Sequence, residues 1–167
     1  MIRPALPADV RTIRDLVEPL SQERILRPYE MVGYYEAVQE FLVATDPAGA
    51  PGAPAVGCGA LHVMWDDLAE VRTLAVHRDW RGRRVGHALL TALVERARSL
   101  GLRRVFCLTF EVGFFAAHGF REIDGTPVTP EVYTELLRSY DEGVAEFLDL
   151  ARVKPNTLGN SRMLLEL

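Results

Sequence analysis

The densest chemistry in the sequence lies between His77 and Ala88, where Arg78, Arg81, Arg83 and Arg84 are interleaved with Gly82 and Gly86. A strand-like run, Ala69 to Val76, feeds this loop. An apolar-periodic helix follows it, carrying Ala88, Leu89, Leu90, Leu93, Val94 and Ala97. The first turn of such a helix has backbone N–H groups with no intrahelical acceptor and the positive end of the dipole. Glycines let a ligand approach the backbone closely, and the arginines add charge, so the loop is suited to phosphate groups. The pattern is neither G-x-x-x-x-G-K-[ST] nor G-x-G-x-x-G, which excludes both of those nucleotide loops. Cys58 and Cys107 sit in apolar runs without an electropositive neighbour in sequence and read as buried thiols, not nucleophiles. No Cys/His spacing suits zinc, so no metal is expected. His87 adjoins the loop, whereas His62, His77 and His118 are scattered and read as structural.

The surrounding elements follow from periodicity. Pro7 to Leu20 reads as a helix with Val10, Ile13, Leu16 and Val17 on one face, Asp9 as cap, and Pro19 ending or kinking it. Ser21 to Gly33 is a loop or short helix, and a second helix is expected over Tyr34–Gln39. Phe41–Ala44 and Ala55–Val63 form a hairpin around the turn at Asp46 to Pro54. Strand Ala69–Val76 precedes the arginine loop and its helix, which Gly101 stops. Val105–Phe110 is apolar apart from Thr109, as in a strand buried on both faces. Val112–His118 is helical and ends at Gly119. A longer amphipathic helix, Pro130 to Leu150, begins at a Thr129 cap, and Ser161–Leu167 is the closing strand. The order predicts an α/β (mixed α+β) single domain, residues 1–167, with one βαβ unit at its centre and an added helical segment at about 127–152.

Composition agrees. The chain has 167 residues, 49% apolar and 25% charged, with a net charge of −4. These values exclude a disordered chain or a disulfide scaffold and make nucleic acid a poor partner. The start, Met1-Ile2-Arg3-Pro4-Ala5, has no apolar leader segment, and no run of 18 apolar residues occurs. A soluble, cytoplasmic protein with no membrane partner is expected.

The run Arg81-Gly82-Arg83-Arg84-Val85-Gly86 resembles the pyrophosphate loop [RQ]-x-x-G-x-[GA] of the GNAT acetyltransferases, with Arg84 standing where the middle glycine is usual. Phe114-Phe115-Ala116-Ala117-His118-Gly119-Phe120 resembles the same family's later aromatic-Gly-Phe signature. The resemblance implies a central, twisted, mostly antiparallel sheet flanked by helices, with acetyl-CoA as co-substrate. Leu74, Ala75, Val76, Arg81, Gly82, Arg83, Arg84, Val85, Gly86, His87, Ala88 and Phe115 are the residues implied to hold it. Many members carry a tyrosine acid where this chain has Phe115.

A narrower resemblance is to the acetyltransferase domain of the N-acetylglutamate synthase family of arginine biosynthesis. It rests on Arg3, Asp9-Val10 and Pro19-Leu20, on Ala69-Glu70-Val71-Arg72-Thr73-Leu74-Ala75-Val76, on Val105 to Phe110, and on Gly159-Asn160-Ser161-Arg162. It implies the short forms that lack the kinase-like domain. It also implies glutamate or glutamine as acceptor, direct transfer in a ternary complex, and Glu70 as the base that deprotonates the α-ammonium. Period 2 puts Glu70, Arg72, Leu74 and Val76 on one strand face. A carboxylate substrate calls for a guanidinium clamp. Arg24, Arg27, Arg72 and Arg162 are the candidates; the family's own arginine position falls on Pro28, and Arg72 or Arg27 is expected to replace it, with Arg162, Asn160 and Thr109 as further contacts. Another amine acceptor and a non-catalytic acyl-CoA-binding regulatory module are the alternatives, and the chain is compatible with a homodimer.

Overall fold

A computed structural model describes every residue of the chain except Pro28 and Pro51; the position aligned with the family arginine thus lies outside the described residues. Seven strands make one sheet, in the order β1 (Ile2–Pro4), β2 (Phe41–Thr45), β3 (Ala55–Val63), β4 (Leu68–Val76), β5 (Arg104–Thr109), β7 (Ser161–Glu166) and β6 (Arg121–Glu122), and the chain divides into two compact units.

The first unit comprises residues 1–62 and 71–100. β1 (Ile2–Pro4) and β3 (Ala55–Val63) flank β2 (Phe41–Thr45), both antiparallel to it. α1 (Val10–Gln22) presents Val10, Ile13, Leu16 and Val17 to a core that also holds Tyr34, Phe41, Val43 and Cys58. Pro19 does not end α1, because Leu20 beyond it packs on this core and holds the last turn. The stop comes at Arg24, which is left-handed at φ 58°. Ile25 N–H donates to the Leu20 carbonyl at 2.8 Å and Arg24 N–H to that of Ser21 at 2.9 Å. That is the helix-ending pattern usually given to glycine.

The second helix, α2, is Met31–Glu36, three residues earlier than its periodicity suggested; Val38–Glu40 is a 3₁₀ turn. Asp9 does not cap α1 with its side chain. It accepts from Leu6 N–H at 2.7 Å and takes both ends of the Arg3 guanidinium at 2.7 and 2.9 Å.

α3 (Val85–Ser99) lies against β3, and glycine permits the approach. A Cβ at Gly57 would stand 3.0 Å from Leu89 Cδ1 and 3.1 Å from the Ala75 carbonyl; one at Gly59 would stand 2.9 Å from Leu93 Cδ1. Gly101 adopts φ 77° just past the helix, as the stop signal required.

The second unit comprises residues 63–70 and 101–167. β4 (Leu68–Val76) begins here, and its residues 68–70 run parallel to β5 (Arg104–Thr109), with Glu70 opposite Phe106. β7 (Ser161–Glu166) lies antiparallel to β5 and to the short β6 (Arg121–Glu122), which follows α4 (Val112–Ala116). The single helix expected over 130–150 is two, α5 (Pro130–Leu136) and α6 (Glu142–Phe147), followed by the short α7 (Lys154–Thr157). Thr129 caps α5 as its sequence indicated, and Asp141 caps α6 through Val144 N–H at 2.8 Å. Leu136, Val144, Phe147 and Leu148 join Leu68, Phe106 and Leu164 in one core, so the helical segment packs on its own unit. No helix among the described residues is long and apolar enough to cross a membrane.

Arg3 holds the Asp9 carboxyl below its ordinary value of 3.8, with the Leu6 amide adding to the effect. A group depressed in the folded state contributes stability above its unfolded pKa and loses it as pH falls through the folded one. Asp9→Ala should therefore cost about 1–2 kcal/mol of unfolding free energy at pH 7, measured by urea titration. The gap between variant and parent should close as the pH drops below the ordinary carboxylate range.

Candidate active site

In the first unit the arginine loop has the shape its composition suggested. Arg78–Trp80 is a 3₁₀ turn. Gly82 follows at φ 75°, with open space where a Cβ would point. Arg84 sits at φ 61° and ψ 16° and is the N-cap of α3. The residue in the usual glycine position thus takes a glycine-like conformation despite its side chain. Arg81, Gly82, Arg83 and Arg84 are exposed, while Val85, Gly86 and His87 are half-buried and Ala88 exposed. Ala88 N–H makes the first bond of the helix, to the Arg84 carbonyl at 3.0 Å, so the amides of the turn before it lie ahead of the helical ladder. Arg83 lies 4.9 Å over the Trp80 ring, a contact of type i, i+3 that the sequence shows but the motif did not reveal.

β4 carries the candidate chemistry on either side of an irregularity. Glu70 is 4% exposed and Arg72 is 8% exposed. Thr73, next in line, is left-handed at φ 55°, a genuine outlier for a β-branched residue. This one residue interrupts the strict alternation expected from Glu70 through Val76. Leu74 and Val76 are half-buried and Ala75 is buried. The Thr73 carbonyl accepts a long contact from Cys58 Sγ at 3.7 Å. Arg72 is engaged by its surroundings, yet its Nη2 is buried without a hydrogen bond. Buried unsatisfied donors are rare in native structures, and each calls for an explanation such as strain or function. Arg27, also in this unit, is half-buried with its guanidinium 5.2 Å over the Tyr29 ring.

In the second unit Thr109 ends β5 with its hydroxyl accepting from Glu111 N–H at 2.8 Å, which shapes the turn into α4. Phe115 is buried in an aromatic group, 5.2 Å edge-on to both Phe114 and Phe120. Asn160 is half-buried after the left-handed Gly159 and before β7. Arg162 is turned inward: Nε donates to the Gly125 carbonyl at 2.9 Å, Nη1 to Glu146 at 3.3 Å, and Nη2 to Phe147. Its expected place as a substrate contact therefore competes with three main-chain acceptors.

Burial pushes the Cys58 thiol up to about 12 and raises the Cys107 thiol well above 9.0. Neither supplies a thiolate near neutral pH, as the sequence indicated. His62 pairs with Glu40 at 2.8 Å. No group of three or more metal-ligating side chains occurs among the described residues.

β4 thus runs past a left-handed residue into a glycine–arginine turn that opens α3. The chain belongs to the acetyltransferase (GNAT) family, whose model matches residues 12–120. An amino-acid acetyltransferase of Mycobacterium tuberculosis is 56% identical over the whole of this chain and 94% of its own length. A solved structure from M. tuberculosis, in complex with CoA and NLQ, superposes with a TM-score of 0.96 at 56% identity, covering 100% of this chain and 99% of that one. The N-acetylglutamate synthase of Neisseria gonorrhoeae, complexed with coenzyme A and N-acetyl-glutamate, shares the fold with a TM-score of 0.76 at 22% identity; the match spans this whole chain and 35% of that one.

A non-glycine residue in the left-handed region costs roughly 1–2 kcal/mol. Arg84→Gly should therefore leave stability equal to the parent or up to about 1 kcal/mol higher, whereas Gly82→Val should lower it by about 1–2 kcal/mol. Denaturant unfolding of the two variants checks both signs.

Proposed function

We propose that this chain transfers the acetyl group of acetyl-CoA to the α-amine of L-glutamate or L-glutamine, the opening step of arginine biosynthesis. The observation that carries the reading is the buried pair on β4, Glu70 and Arg72, two positions apart and immediately before left-handed Thr73. The likeness to an amino-acid acetyltransferase over the full chain supports it. An α-amino acid presents an ammonium and a carboxylate, which call for a base and a guanidinium respectively.

Acetyl-CoA supplies a thioester carbon open to attack. Its phosphates suit the turn from Arg81 to Ala88, where left-handed Gly82 and Arg84 lead into a 15-residue helix. Glu70 takes a proton from the acceptor ammonium, directly or through water. The free amine attacks the thioester carbonyl, the C–N bond forms and the C–S bond breaks. The products are the N-acetyl amino acid, coenzyme A and one proton. Backbone amides around Val76 stabilise the charge that develops on the carbonyl oxygen. Phe115 has no proton to give, so the departing thiolate is protonated by a group other than the family tyrosine. Arg72 holds the acceptor carboxylate, with Arg27 as the second candidate.

Purified protein with acetyl-CoA, tested against amino acids, polyamines and an aminoglycoside, should release CoA thiol fastest with glutamate or glutamine, with the acetylated product identified by mass. Turnover with another amine alone would discard the acceptor assignment. Glu70→Gln should lower kcat/KM about 10²–10⁴-fold. Arg72→Ala should weaken acceptor binding by about 2–4 kcal/mol, seen chiefly in the KM for the amino acid.

A further inference from the structure

Arg162 has more contacts than a surface arginine needs, and all of them converge on one spot in the second unit. Its three donors reach the carbonyls of Gly125, Glu146 and Phe147. The last two belong to the final turn of α6, where the Glu146 carbonyl also accepts from Asp149 N–H at 3.1 Å. Phe147 O also accepts from Thr126 Oγ1 at 3.3 Å. The guanidinium lies 5.0 Å over the Phe106 ring and 6.0 Å over that of Phe147, and the two rings meet edge-on at 4.9 Å. Phe106 is the β5 residue directly opposite Glu70, and neighbours in a parallel pair share a face. The arginine is therefore one ring away from the proposed base.

We propose that Arg162 is a positioning residue for Glu70: by gripping the end of α6 and stacking on Phe106, it fixes the wall beside that carboxylate and keeps a positive charge there. This rests on the reading of Glu70 as the base. Glu70 and Asp149 both act electrostatically on Arg162, which is itself pulled down by burial. Cys107 on β5 is a neutral buried thiol. Asp149, after α6, is paired with Lys154 at 2.5 Å. Arg72 is the remaining cation on β4 itself.

The test is the pH profile of kcat/KM for the amino acid acceptor. Removing a nearby positive charge disfavours an ionised carboxylate. Arg162→Met should move the acidic limb upward by about one pH unit, with acceptor KM at high pH within about threefold of the parent. Arg162→Lys, which keeps the charge, should restore much of the limb's position. If Arg162→Met does not fold by circular dichroism, Arg162→Gln, which keeps donors without charge, is read in its place with the same expectation. An unmoved limb overturns the proposal, and so does a tenfold or larger rise in acceptor KM without a shift, which would make Arg162 a substrate clamp. Glu70→Gln is measured alongside. If its limb persists, the reading of Glu70 as base fails; if its limb is lost while Arg162→Met leaves the limb in place, only the role of Arg162 fails.

Discussion

A threonine at φ 55° is a costly thing to place inside a strand; left-handed backbone at a β-branched residue stores about 1–3 kcal/mol of strain. β4 carries that strain at Thr73, and the candidate chemistry is arranged around it. Before it come Glu70 and Arg72, both buried; after it come Leu74, Ala75 and Val76, which the resemblance assigns to the acyl-CoA. A strictly alternating strand would pair every amide of this run with a neighbouring strand. One left-handed residue changes the direction of those that follow, in the manner of a β-bulge.

A second constraint is the distance between α3 and the sheet. The Gly57-Cys58-Gly59 run of β3 leaves so little room that added methyls would stand about 3 Å from Leu89 and Leu93. The head of α3 is thereby set by packing, and with it the position of the Arg81–Gly86 turn. Function in this loop depends on backbone amides held at one angle, so the small residues on β3 bear on binding without touching any ligand.

Periodicity and motif spacing made much of this legible. The hairpin at Phe41 and Ala55, the βαβ unit, the Gly101 stop and the Thr129 cap all lie where local chemistry put them. The misses have separate physical origins. α1 and α6 end on left-handed Arg24 and Asp149, where only glycine would have signalled a stop. Pro19 stayed inside a helix because Leu20 is anchored beyond it. The break between α5 and α6 had a local sign, Asp141 three residues before Val144, but an amphipathic pattern continuing across it masked the cap. The edge strands Ile2–Pro4 and Arg121–Glu122 are too short to show a period. In the site, residue types were readable where they follow a motif, as in Arg81 to Gly86. The inward turn of Arg162 was not, since its partners are carbonyls, which carry no side-chain signature.

The mechanism stands or falls on direct attack by the acceptor amine, with no acetyl group resting on the protein between the two half-reactions. Both thiols are buried with raised pKa values, which agrees with that route. Initial velocities over a grid of acetyl-CoA and amino acid concentrations decide it. Lines that intersect in the double-reciprocal plot are expected from a ternary complex; parallel lines, with acetylated protein detectable by mass before acceptor is added, would contradict it.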